Sequence, residues 1–182
     1  LLRAVSKVVE RVLHSQLSKF AEAEILPPEQ HGFRTNRSTE TALASLLSAA
    51  EQTRRPHTKA ALVAFDFSSA FDTIDRHTLR NRMEPWATRE SISLLSDYLS
   101  DGTQEVRWNG AHSRDHRVQF GVRQRSILGP LLFTIITSTL PQAIRSAVLA
   151  LCIYADDTSA IVSGSTWDEV RSERRSRLSS GC

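Results

Sequence analysis

The stretch Leu151-Cys152-Ile153-Tyr154-Ala155-Asp156-Asp157-Thr158-Ser159-Ala160-Ile161-Val162 sets two adjacent carboxylates between two short apolar runs. Each run has the length and β-branched content of a buried strand, and the polar residues between them read as a tight turn, so the spacing predicts a β-hairpin with acid at its tip. Carboxylates this close repel each other unless solvent, a basic partner or a divalent cation takes up the charge. A third carboxylate, Asp66, closes another apolar run, Ala60 to Phe65. If the two strands are neighbours, Asp66 and Asp156 converge on a hard-oxygen site suited to magnesium, which keeps several waters and needs only one or two protein carboxylates besides substrate phosphates. That donor set fits two-metal phosphoryl transfer, with Asp157 pointing the other way on a two-residue tip and supporting the site from behind.

Other residues read two ways. Arg34 and Arg37 follow Gly32 and precede a helix start, where they are either solvated or hold phosphate through guanidinium, backbone N–H groups and helix dipole. Gln124 lies in a loop between Gly121 and Gly129, placed either to touch a nucleotide or to tie the turn. From its position alone, Phe71 reads as a core aromatic. Arg171, Arg174, Arg175 and Arg177 read as a solvated helix face.

These side chains need elements to position them. Leu2, Val5, Val9, Val12, Leu13, Leu17 and Phe20 recur at threes and fours, predicting an amphipathic helix with Lys7, Glu10 and Arg11 on its polar side, ended by Pro27-Pro28. Ser38 or Thr39 caps a second helix whose core face is Ala42, Leu43, Leu46, Leu47 and Ala50. After the strand bearing Asp66, Asp75 caps a short helix and Thr88 caps the next. Gln104–Trp108 and His116–Phe120 flank Asn109-Gly110, a hairpin signal. One helix is expected from about Leu131 to Ile144, then the acidic hairpin, then a last helix from Trp167 to Leu178. The order is that of an α+β fold with a small, mainly antiparallel sheet.

Composition narrows the class. The 182 residues are 40% hydrophobic and 24% charged, with a net charge of +3, which permits a polyanionic partner. Two cysteines supply no disulfide framework and no metal-ligand spacing, so a reducing, intracellular setting is expected. No apolar run reaches membrane-spanning length. The chain opens in helix-like sequence without Met, and reads as a piece of something longer.

Tyr154-Ala155-Asp156-Asp157 matches the signature tetrad of reverse transcriptases. Asp66-Phe67-Ser68-Ser69-Ala70-Phe71-Asp72 resembles the first catalytic motif as non-LTR retrotransposons carry it. Gln30-His31-Gly32-Phe33-Arg34 with Ser38-Thr39 is similar to their fingers motif, and Gly121 to Phe133 resembles their glutamine loop. The four occur in the family's order and cover about Gln30 to Val162, most of the chain. The resemblance implies a right-hand polymerase palm with partial fingers and no thumb, divided as 1–59 for fingers and 60–182 for palm. It implies two Mg2+ ions held by Asp66, Asp156 and the Phe67 carbonyl, with Asp157 completing the acidic tip. By the same resemblance Phe71 becomes a steric gate against a ribose 2′-hydroxyl, Arg34 meets the triphosphate, and Gln124 lies beside nucleotide and template. Arg37 and Tyr154 face nucleic acid, Tyr154 near the primer end. The implied partners are an RNA template, a DNA primer and a dNTP. Arg123 and Arg125 replace the family's Pro and Gly beside Gln124, so a non-catalytic remnant that at most binds nucleic acid stands as the alternative.

Overall fold

Alternation along the strands decides what the sheet buries. In β1 (Lys59–Asp66) the residues Ala61, Val63 and Phe65 share one face, and Leu62, Ala64 and Asp66 share the other. β6 (Ala150–Tyr154) and β7 (Asp157–Gly164) form the expected hairpin, and the sheet runs β1-β7-β6, antiparallel throughout. The computed structural model describes residues 2–54, 58–67, 72, 74–100, 103–117, 120–122, 126–144 and 148–176. The chain divides into two compact units, one of Leu1–Ser15 with Ser69–Ile136, the other of Gln16–Ser68 with Thr137–Cys182.

The second unit holds the sheet. Leu151, Ile153, Ala160 and Val162 pack with Ile144 and Val170 on one face, joined by Ala61, Val63 and Phe65 of β1. The helices on that face are α6 (Leu140–Ile144) and α7 (Trp167–Ser176). α2 (Thr39–Gln52) lies on the opposite face of the hairpin, where the Cys152 thiol donates to the Ala42 carbonyl at 3.6 Å. Burial pushes the Cys152 thiol pKa up, so it acts as a small hydrophobe. Ser38 caps α2 in a reciprocal box with Thr41, as expected. The expected core face of α2 is corrected: Ala42 and Ala49 are buried, whereas Leu43 and Leu47 are both 57% exposed. Small residues let the helix lie close to the sheet, which turns its leucines outward.

The first unit packs α3 (Arg76–Met83) against α4 (Arg89–Ser100) and α5 (Gly129–Ile136) through Leu79, Met83, Leu99 and the almost wholly buried α5. Asp75 caps α3 by accepting from Thr78 N at 2.9 Å and His77 N at 3.2 Å. The single helix expected over 131–144 is instead α5, a 3₁₀ turn over Thr137–Thr139, and α6. Pro141 is the reason, since its ring opposes the carbonyl four residues back and it has no N–H to continue the ladder. Asn109 and Gly110 take positive φ of 47° and 80° and join β3 (Arg107–Trp108) to β4 (Ala111–His112) in the mirror-image turn that hairpins favour. Outside them β2 (Thr103–Gln104) pairs with β5 (His116–Arg117), so the expected hairpin forms in two short pieces.

α1 (Leu2–Glu24) runs further than expected, and one residue overturns its predicted polar side. Glu10 is only 5% exposed. Its carboxylate accepts from Ile127 N at 2.8 Å, Lys7 Nζ at 3.2 Å and Tyr98 Oη at 3.2 Å. Burial alone raises the Glu10 pKa, but these donors outweigh it and leave the group below its ordinary value. Val9 and Val12, expected inside, are 48% and 52% exposed. Tyr98 Oη and Ser126 Oγ are 2.7 Å apart, and Ser126 Oγ accepts from the N–H groups of Leu128 and Gly129. At the other end of the glutamine loop, Gly121 N donates to the Ile74 carbonyl at 2.8 Å.

Candidate functional site

Two residues, Ala155 and Asp156, connect β6 to β7. Ala155 has φ of 58°, and Asp156 is not among the positive-φ residues, which is the signature of a type II′ turn. The twist of such a turn matches that of the flanking strands. An L-residue in this region is strained by about 1 kcal/mol, so the surroundings must hold the tip in place.

They do so through the segment Glu29–Gly32. Ile153 N donates to the Glu29 carbonyl at 2.9 Å and His31 N donates to the Ile153 carbonyl at 2.7 Å, with Gln30 and Ile153 in parallel pairing. Gln30 is buried, and its Oε1 accepts from Gly32 N at 2.8 Å. This brings the Gly32 backbone against the turn: a Cβ there would lie 2.2 Å from Ala155 N and 3.0 Å from Ala155 Cα. Gly32 is therefore required for close backbone approach. In the sequence Gly32 stands out only as the neighbour of Arg34 and Arg37, and no local signal announces its contact with a turn so far along the chain.

The register places the acids. Asp66 is the direct partner of Asp157, and Asp157 is also the partner of Tyr154. Opposite residues in antiparallel strands share a face with Cα atoms about 4.5–5.5 Å apart. Asp157 thus shares the face of Asp66, which corrects the expectation that it points away, and Asp156 sits beside it in the turn. Asp66 and Asp157 are exposed and Asp156 and Phe67 are half-buried. Among the described residues no three His, Cys, Asp or Glu side chains form a ready-made metal cluster. The carboxylates that the register brings to this end of the sheet, Asp66, Asp156 and Asp157, carry hard oxygens, the donor class magnesium takes together with its retained waters.

Arg34 is 9% exposed in its side chain and its fork is occupied. Nε and Nη2 donate to Glu22 Oε2 at 2.9 and 2.6 Å, and Nη1 donates to the Pro27 carbonyl at 2.6 Å and to the Gln30 carbonyl at 3.3 Å. Arg34 thereby fastens the loop carrying Gly32 to α1. Arg34→Ala is expected to destabilise the protein by about 2–4 kcal/mol, toward the low side because the Glu22 carboxylate can rehydrate. In a double-mutant cycle with Glu22→Ala, read by denaturant unfolding, coupling of about 1 kcal/mol or more is expected; additive losses would mean the pair holds nothing.

His31 is buried, with Nδ1 2.9 Å from Thr41 Oγ1. The Thr41 hydroxyl donates to the Ser38 carbonyl at 2.9 Å, so Nδ1 carries the hydrogen in the arrangement that satisfies both. Burial first, then Arg37 and Arg34, hold the His31 pKa below its ordinary value. With the folded value depressed, the unfolded chain takes up the proton first. Stability is then full above about pH 6.5 and falls as pH drops toward the folded value. Denaturant unfolding from pH 7.5 to 5 is expected to show this slope in the wild type and a smaller one in His31→Gln.

Arg37 is half-buried and near enough to bear on His31, and Tyr154 is half-buried at the end of β6. Phe71 and Gln124, with Arg123 and Arg125, lie outside the described residues. The structure thus brings together Asp66, Asp156, Asp157, Phe67 and Tyr154 through one sheet, and seats Arg34 on Glu22. No described helix is long and apolar enough to cross a membrane.

Comparison with known proteins gives a consistent result. Residues 1–173 match the family described as reverse transcriptase (RNA-dependent DNA polymerase). The chain is similar to a probable RNA-directed DNA polymerase from transposon BS of Drosophila melanogaster, at 30% identity over 93% of this chain and 19% of that protein. It is also similar to one from transposon X-element of the same species, at 30% identity over 86% of this chain and 18% of that protein. The chain therefore spans less than a fifth of the length of these relatives. In fold it resembles apo telomerase from Candida tropicalis truncated from its C-terminal domain, with a TM-score of 0.62 at 17% identity, covering 94% of this chain and 36% of that one. Telomerase from the same organism in complex with a telomeric RNA fragment gives a TM-score of 0.64 at 16% identity, covering 92% and 30%.

Proposed function

The chain belongs to the reverse transcriptase (RNA-dependent DNA polymerase) family, and from that premise we propose that it is the fingers–palm part of the RNA-directed DNA polymerase of a non-LTR retroelement. The reaction is attack of a primer 3′-hydroxyl on the α-phosphate of a dNTP, with RNA as template and pyrophosphate leaving. The observation that carries this reading is the β1–β7 register, which sets Asp66 opposite Asp157 and next to the Ala155–Asp156 turn. Residues 1–59 are assigned to the fingers and 60–182 to the palm, a functional division that cuts across the two compact units.

Asp66, Asp156 and the Phe67 carbonyl are the groups that would hold two Mg2+ ions, with Asp157 completing the acidic tip. When bound, such ions supply a Lewis acid that stabilises charge on the attacking and leaving oxygens. The chain's own residues do the remaining work. Phe71 excludes a 2′-hydroxyl, Gln124 lies beside nucleotide and template, and Arg37 and Tyr154 face nucleic acid. Arg34 is assigned to the triphosphate, and since its fork is held by Glu22, nucleotide and Glu22 compete for one guanidinium.

The test is incorporation of dTTP by this chain on poly-rA with an oligo-dT primer. Incorporation that depends on template and Mg2+ and stops with EDTA is expected, and primer–template affinity should fall steeply with salt. Salt-sensitive binding without incorporation, at any enzyme concentration, would favour the non-catalytic remnant.

A further inference from the structure

Within the first compact unit, a cavity of about 300 Å³ opens along α3 and α4, and none of the residues assigned above is in its lining. Its inner wall is apolar, with Leu79, Met83 and Leu99 all buried. Its rim carries two cations, Arg76 and Arg80, one turn apart on α3, with His77 between them in sequence. Arg76 Nε is buried and has no hydrogen-bond partner among the described residues. A buried guanidinium N–H left without an acceptor is unfavourable, so this atom calls for an oxygen from outside the described residues. The nearby carboxylate of Asp75 does not supply it, because it is spent on capping, accepting from His77 N, Thr78 N and the Thr78 hydroxyl.

We propose that this cavity binds a small organic anion with an apolar body, of the aryl phosphate or aryl carboxylate class. The head group meets Arg76 and Arg80, which stand four residues apart on one helix face and repel each other until an anion lies between them. The body covers Leu79, Met83 and Leu99. The volume is at the small end for ligand sites and admits one ring system.

Titration with 1-naphthyl phosphate, followed by amide chemical shifts, is expected to give one saturable set of changes confined to α3 and α4. Inorganic phosphate and 1-naphthol, each lacking half of the ligand, should bind at least tenfold more weakly. Arg76→Gln and Arg80→Gln should each weaken binding tenfold or more. Arg80 is exposed, so its replacement leaves the fold intact and keeps the test valid if Arg76→Gln unfolds. Equal affinity for inorganic phosphate, shifts spread through the chain, an Arg80→Gln variant that binds like wild type, or displacement of the probe by an RNA oligonucleotide at constant ionic strength would each overturn the proposal.

Discussion

Asp156→Asn is expected to slow primer extension by about a thousandfold or more, roughly 4 kcal/mol at the transition state, while leaving thermal stability unchanged or slightly raised. The two effects separate because of where the residue sits. Asp156 lies in a turn beside Asp157, which is itself opposite Asp66, so three negative charges crowd one end of a sheet. In solvent each such repulsion amounts to about 1 kcal/mol or less, and the amide removes some of it. The same amide keeps an oxygen but loses the charge that would hold a cation and offset charge developing on phosphate oxygens. Asp66→Asn should behave alike. Single-turnover extension and a melting curve check this together, and a variant that melts many degrees lower would show that Asp156 shapes the turn and would remove the support for its assigned role.

Gly32→Ala is expected to reduce extension by about a hundredfold with only a modest loss of stability. Here the added atom meets backbone, not a side chain that can swing away. Its Cβ would stand 2.2 Å from Ala155 N and 3.1 Å from the Tyr154 carbonyl carbon, so either the strap or the turn must shift by an ångström or more. Overpacking of this kind destabilises by about 1–3 kcal/mol, a few degrees of melting temperature in a chain this size. A displacement of an ångström at reacting groups is worth about a hundredfold in rate. Amide exchange gives an independent reading: Ile153 N–H, held by Glu29, should exchange faster in the variant. Unchanged exchange with unchanged extension would show that the turn does not lean on Gly32.

What could be read in advance was local. The acidic hairpin, the strand ending at Asp66, the Ser38 and Asp75 caps and the Asn109-Gly110 turn each depend on residues within a few positions of one another, so their signals lie side by side in the chain. The family motifs pointed to the reverse transcriptase family, and the family match over residues 1–173 bears that out. What escaped was set by partners far along the sequence. Glu10 looked solvated because an amphipathic pattern assigns a face without knowing that Tyr98 and Ile127, 88 and 117 residues on, supply donors to a buried carboxylate. Leu43 and Leu47 were given to the core because leucine outranks alanine in hydrophobicity, while the sheet accepted the smaller residues. Gly32 and Gln30 carry no mark of the strand they flank. Arg34, read from its neighbours as either solvated or phosphate-holding, is paired with an acid on α1 that nothing beside it in the sequence announces.

The bonds at the two ends of the glutamine loop have a consequence for its tolerance of change. Gly121 is moored to Ile74, and Ser126 and Ile127 are moored to Tyr98 and Glu10. Both moorings fall within one compact unit, and each includes a backbone donor, Gly121 N and Ile127 N, that a change of side chain at Arg123 or Arg125 does not remove. Loss of either bond would register as faster amide exchange at Gly121 or Ile127.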